Sequence, residues 1–181
     1  MEGPSDHALM ARAAEGDERA FRVLAQRHTG SALTLARRIL RNDAMAEEIV
    51  QDALLRVWVH APRWRPEAAF RTWFYRVVVN LCLNAKRRPL DTPLDSVADP
   101  HDPQPDASQA LEQRERDAAL AKAIDALPDR QRAAIALTYQ QGLSNAEVAA
   151  VLDTSVSSVE TLLVRAKRTL RDSFKADRGV T

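Results

Sequence analysis

Arg71, Arg76, Asn80, Asn84, Lys86, Arg87 and Arg88 recur through residues 70–88 among the rings of Phe70, Trp73, Phe74 and Tyr75, and Arg63, Trp64 and Arg65 precede them. These types together can hold single-stranded nucleic acid: cations meet phosphates, amides reach base edges, and rings stack on unpaired bases or flank a flipped one. Each stacked base contributes about 1–3 kcal/mol, comparable with the few kcal/mol needed to unstack it. Capture of extruded bases can therefore hold a duplex open without fuel. Sorted by helical faces, Phe70, Trp73, Phe74, Val77 and Leu81 fall close to one arc and read as core, where aromatic rings bury large areas. Arg71, Tyr75, Arg76, Asn80, Asn84, Lys86, Arg87 and Arg88 remain for the surface.

A second constellation lies in residues 142–171. Ser144 and Glu147 have capping-box spacing, and so do Ser157 and Glu160, which predicts two helices separated by a tight turn at Asp153, Thr154 and Ser155. That is a helix-turn-helix layout. On its second helix Val156, Val159, Leu162, Leu163, Ala166 and Leu170 form the inner face, leaving Ser157, Thr161, Val164, Arg165 and Arg168 outward. Small polar groups near the helix start and arginines further along suit a major groove. A helical hairpin with a solvated charged face fits the same pattern.

A third face belongs to the helix expected from Ala46 to Trp58. Ala46, Ile49, Val50, Ala53, Leu54 and Val57 make its core stripe, and Glu48, Gln51, Asp52 and Leu55 stand on the other side. A leucine framed by carboxylates and an amide is either a docking face for a basic helical partner or an ordinary solvated surface.

The elements that must position these faces are helices. Apolar residues recur at helical spacing nearly throughout, and no segment alternates as a strand does. Asp17 can cap a second helix after a break at Gly16, and Ser108 can cap the one that runs through Leu111, Ala118, Ala123 and Leu127 to Pro128. Between them, residues 89–107 hold five prolines, with Asp91, Asp95, Asp99, Asp102 and Asp106 and no base, the composition of an extended linker. The expected architecture is all-α: a helical domain over 1–88, a flexible acidic Pro-rich linker over 89–107, and a second small helical domain over 108–181 carrying the helix-turn-helix. The total charge of +1 conceals this layout, because 1–88 nets +5 and the linker −5.

Catalysis is not expected. His7, His28, His60 and His101 are scattered, no glycine-rich phosphate loop appears, and no nucleophile pairs with a base by spacing. The single cysteine, Cys82, excludes an internal disulfide and a multi-cysteine zinc site, and reads as a small core residue. No metal or other cofactor is implied. No run of eighteen apolar residues is present and the N-terminus lacks a signal-peptide layout, so a cytoplasmic protein without membrane insertion is expected.

The order GDERAF, AEEIVQDALLRVW, FRTWFYRVVVN with a basic end, an acidic Pro-rich linker, ALPDRQRAAIALTYQQGLSNAEVAAVL and SVSSVETLLVRAKRTLR resembles the extracytoplasmic-function sigma factors of bacterial RNA polymerase. The likeness covers residues 6 to 172. It implies a first domain that binds core polymerase and melts the minus-ten element, and a second that reads the minus-thirty-five element. Glu48, Gln51, Asp52 and Leu55 would lie on the polymerase clamp helices, and the second domain near the flap region. Trp64 and the loop to Phe70 would surround a flipped non-template base, with Asn80 nearby and Arg76 and Arg87 on the backbone. Ser157, Glu160, Thr161, Arg165 and Arg168 would lie in or beside the major groove. Glu160 departs from the pattern, since many relatives are basic there; an acid accepts from cytosine but repels phosphate. The linker aspartates either mimic an RNA chain in a basic channel or act as a spacer. The resemblance also implies an anti-sigma partner. A stand-alone helix-turn-helix regulator is the alternative that the second constellation alone allows.

Overall fold

Short polar caps start the helices. In the computed structural model, which describes residues 3–65, 69–87 and 109–178, Ser5 accepts from the Ala8 N–H to open α1 (Asp6–Ala14). Asp17 accepts from the Arg19 and Ala20 N–H groups to open α2 (Glu18–Leu40), and Asn42 accepts from Met45 to open α3 (Asp43–His60). Those bonds satisfy backbone donors that have no partner inside a helix. The Ala20 N–H, with the Arg12 guanidinium beside it at 2.6 Å, holds the Asp17 carboxyl below the usual carboxylate range. Gly16, at φ +88°, makes the turn between α1 and α2 in a conformation that other residues rarely adopt.

A 3-10 turn (Ala61–Arg63) leads to Trp64, and α4 (Phe70–Arg87) completes the first group of helices. The second group is α5 (Gln109–Asp125), α6 (Asp129–Ile135), one wide π turn (Ala136–Gln140), α7 (Asn145–Leu152) and α8 (Val156–Arg178). No strand occurs among the described residues, as an all-α fold requires. The linker, with Asp91, Asp95, Asp99, Asp102 and Asp106, and the cap expected at Ser108 lie outside the described residues.

The capping box at Ser144 is formed. The Ser144 hydroxyl accepts from the Glu147 N–H and the Glu147 carboxylate accepts from the Ser144 N–H at 2.8 Å, which lowers the Glu147 pKa. Ser144→Ala should cost about 1 kcal/mol through the orphaned Glu147 N–H, read as a fall in unfolding midpoint. The second expected box does not form. Ser155, two residues earlier, caps α8 by accepting from the Ser158 N–H at 3.2 Å. The earlier start leaves Val156 at the exposed tip of the helix rather than on its inner face, while Val159, Leu163 and Ala166 are buried.

On α4 the core arc is rotated from the expected one. Phe70, Phe74, Tyr75, Val78, Val79 and Cys82 are buried, whereas Trp73, Val77 and Leu81 are only half-buried. Tyr75 is 2% exposed, not a surface residue, because the second group of helices covers it. Its hydroxyl donates to Gln141 Oε1 at 2.7 Å, and Gln141 Nε2 donates to the Ser31 carbonyl at 3.3 Å. One contiguous apolar cluster therefore runs from Leu35, Ile39 and Phe74 in the first group to Leu127, Leu137 and Val148 in the second. The periodicity of α4 alone cannot reveal this, since two neighbours compete for its circumference.

Candidate nucleic-acid interface

Trp64 follows the 3-10 turn, its N–H donating to the Ala61 carbonyl at 3.2 Å. Its half-buried ring is flanked by His7 of α1, edge-on at 5.2 Å between centroids, and by Phe70 at 6.4 Å. Phe70 is buried, stacked on Phe74 at 5.7 Å and flanked by His28 at 5.0 Å. Buried in this way, Phe70 is not itself a stacking surface for a base; it backs Trp64. His28 Nε2 lies 2.7 Å from Asp6, which fastens α1 against α2 and brings His7 to Trp64. Sequence reading treats His7 and His28 as isolated, since only the fold brings α1 beside the loop.

An open cavity of about 560 Å³ lies beside Trp64. Trp73, Val77 and Leu81 give it an apolar lining, and Arg63, Arg65, Arg76, Asn80 and Asn84 supply cations and amides. Trp73, Val77 and Leu81, expected to be core, pack half-buried against it and also line the cavity. Arg56 and His60 of α3, absent from the sequence-based site, also line it. Both lie in the last two turns of α3, just ahead of the loop bearing Trp64, and that proximity is the sequence signal that could have found them. Asn80 and Arg76 are exposed, and Arg87 is exposed at the end of α4 but does not line the cavity. An apolar lining with amides and guanidinium groups around it suits an unpaired base and its flanking phosphates.

On α8, Ser157, Glu160, Thr161, Arg165 and Arg168 are all exposed. Thr161 Oγ1 donates back to the Ser157 carbonyl at 2.9 Å, and Arg168 Nε stands 3.8 Å from Asp172. The face of α3 holds Glu48 and Gln51 exposed and Leu55 60% exposed. Asp52 is engaged by Arg56 at 3.1 Å. Val59, one turn beyond Leu55, is 64% exposed and extends the apolar strip, which its i+4 spacing could have disclosed.

Cys82 is buried and burial pushes its thiol up to about 12, so it stays protonated at neutral pH. Among the described residues no cluster of three His, Cys, Asp or Glu side chains could hold a metal, and no helix is long and apolar enough to cross a membrane.

Two family models match the chain: Sigma-70 region 2 over residues 24–89 and Sigma-70 region 4 over residues 117–170. The chain is 35% identical over 166 residues to the ECF RNA polymerase sigma factor SigM of Mycobacterium tuberculosis, covering 92% of this chain and 83% of that protein. Among solved structures it is similar to CnrH in complex with the cytosolic domain of CnrY, at TM-score 0.72 and 28% identity, covering 96% of this chain and 99% of the other. It shares its fold with the sigma factor RpoE of Bartonella quintana, solved with the anti-sigma factor NepR, at TM-score 0.67 and 20% identity over 87% of this chain and 98% of that one.

Proposed function

The chain belongs to the extracytoplasmic-function sigma factors of the sigma-70 family, and on that premise we propose which of its residues carry the family's work. A sigma factor of this kind binds core RNA polymerase and directs promoter recognition, melting and initiation, and an anti-sigma factor holds it in check. It regulates initiation; the chemistry belongs to the polymerase in the cytoplasm. Residues 1–88 form the unit that docks on polymerase and opens the minus-ten element, residues 108–181 the unit that reads the minus-thirty-five duplex and meets the flap region, and the acidic linker joins them.

The observation that carries the reading is the cavity beside Trp64, where ring, amide and guanidinium groups converge on a space open to solvent. Trp64 stacks on or flanks the flipped non-template base, Asn80 reaches its edge, and Arg76 and Arg87 take phosphates. Phe70 holds the ring of Trp64 in place. The exposed row Ser157, Glu160, Thr161, Arg165 and Arg168 enters the major groove, with Glu160 accepting from a cytosine amine. Glu48, Gln51, Asp52 and Leu55 dock on the basic clamp helices. The five linker aspartates, from Asp91 to Asp106, either mimic an RNA chain in a basic channel of the polymerase or act as a spacer. A stand-alone helix-turn-helix regulator would leave both the docking face and the aromatic cavity unused.

Mixing the chain with core polymerase and a genomic fragment library, then sequencing the transcript starts, tests this directly. Selective starts are expected, and a folded chain that gives none with active core overturns it. Within that assay Trp64→Ala should lower open-complex formation about fivefold to 150-fold, the equivalent of one lost stacking contact of about 1–3 kcal/mol. Permanganate footprinting of unpaired thymines reads the opened strand.

A further inference from the structure

We propose that α1 belongs to the strand-opening apparatus, with His7 as the residue that positions the ring of Trp64. The inference rests on the reading of Trp64 as the residue that receives a flipped base. The match to Sigma-70 region 2 begins at residue 24, so α1 lies outside it.

Trp64 needs a support beyond its own backbone. It stands in extended conformation (φ −67°, ψ 134°) just after the 3-10 turn, and its N–H bond to the Ala61 carbonyl fixes the main chain but leaves the half-buried side chain free to swing. Two rings restrict that swing. His7 meets the indole edge-on at 5.2 Å with 69° between the planes, and Phe70 meets it at 6.4 Å and 66°. Edge-on contacts of aromatic rings are directional as well as attractive, so together they select one orientation of the indole. Neither His7 nor Phe70 lines the cavity that Trp64 lines, so both act through Trp64 rather than on a base.

His7 can do this because the start of α1 is pinned to α2. Arg27 Nη1 donates to Asp6 Oδ1 at 3.0 Å and to the Pro4 carbonyl at 2.7 Å, while His28 Nε2 lies 2.7 Å from Asp6 Oδ2. Leu9, Met10 and Ala13 bury the inner face of the same helix. The ring of His28 also flanks Phe70, at 5.0 Å. Both supports of Trp64 therefore lead back to the carboxylate of Asp6, His7 along the chain and Phe70 through His28. A ring held in place before a base arrives loses less side-chain freedom on capture, which favours the captured state. His7 itself is exposed, so its removal leaves the core packing intact.

The test uses the full chain with His7→Ala and His7→Phe, each made also in the Trp64→Ala background. Permanganate footprinting with core polymerase, on a library fragment from which the wild-type chain initiates, reads strand opening. Acrylamide quenching of tryptophan emission in the free chain, each protein compared with its Trp64→Ala counterpart, reads the hold on that one ring. His7→Ala should lower open-complex formation about twofold to twelvefold, the size of one edge-on ring contact, and make Trp64 more easily quenched. His7→Phe, which keeps a ring edge, should restore both readouts, and the unfolding midpoint should stay at the wild-type value. In the Trp64→Ala background the same change at His7 should cost nothing further. A loss that persists in that background places His7 on the DNA itself and overturns the positioning role, as does unchanged quenching or unchanged opening. A wild-type chain that initiates from no fragment overturns the sigma-factor reading instead, and quenching alone then decides whether His7 holds Trp64.

Discussion

Replacing Leu55 with aspartate should weaken binding to core RNA polymerase about thirtyfold to a thousandfold while leaving the unfolding midpoint almost unchanged. Leu55 is 60% exposed, so the fold loses little packing when it is removed. An interface behaves differently: an apolar anchor in a water-free centre, ringed by polar contacts, is where alanine scans find the largest losses, commonly about 2–4 kcal/mol, and a buried unpaired charge adds to them. The rim on this face is acidic and amide-bearing, with Glu48, Gln51 and Asp52 around the leucine, and such rim charges set orientation and association rate more than affinity. Glu48→Ala should consequently cost only a few-fold and show mainly in the salt dependence of association. Val59→Asp should fall between the two, because Val59 continues the strip by one turn. Competition between labelled wild-type chain and each variant for a fixed amount of core polymerase gives the ranking. A Leu55 variant that competes as well as wild type removes the docking face from this helix.

Helix identity was legible in the residues because caps and periodicity are local. Asp17 and Ser144 open helices as their types and spacing predict, and Ala46, Val50, Ala53 and Val57 make the buried stripe of α3. The exposed face of α8 was equally legible, since only one of its sides meets the core. What could not be read were the choices made by tertiary contact. Tyr75 alternates with arginines and seems a surface residue by type until α7 and the π turn are placed over it. Trp73 and Val77 are core by type, and they do pack against the core, but their other side lines an open cavity shared with Trp64, which periodicity along α4 does not reveal. Ser155 and Ser157 are equally good caps by composition, and the left-handed residue Asp153 decides between them by fixing where the turn ends. The same limit applies to the ion pairs Arg71–Glu147 and Arg76–Asp153, whose acids are ordinary surface residues until α7 lies against α4.

Arg132→Ala should destabilise the chain by about 3–5 kcal/mol. The guanidinium is 3% exposed and donates to four carbonyls, those of Ile39 at 2.9 Å, Ile124 at 3.3 Å, Asp125 at 2.9 Å and Leu127 at 2.6 Å. These carbonyls come from the end of α2, the end of α5 and the turn that follows it, where the helix dipoles leave partial negative charge. Burial pulls the arginine pKa down, with Asp129 at 3.4 Å opposing that pull, but an arginine keeps its charge at neutral pH. Alanine would leave the Ile39 and Leu127 carbonyls without this donor in a space poorly reached by water, at about 1–3 kcal/mol for each one that finds no replacement, whereas the Ile124 carbonyl still accepts from the Leu127 N–H at 3.1 Å and the Asp125 carbonyl from Arg41 at 3.2 Å. Lysine should recover only part of the loss, because one ammonium cannot reproduce a planar fork aimed at two helix ends. For a chain of this size the alanine variant should melt roughly 6–20 °C below wild type. A loss under about 1 kcal/mol in urea titration would mean that the carbonyls find other partners. The distribution of the four bonds matters for function too. Three stay within the second group of helices and only the bond to Ile39 crosses to the first, so Arg132 fastens the helix-turn-helix unit chiefly to itself.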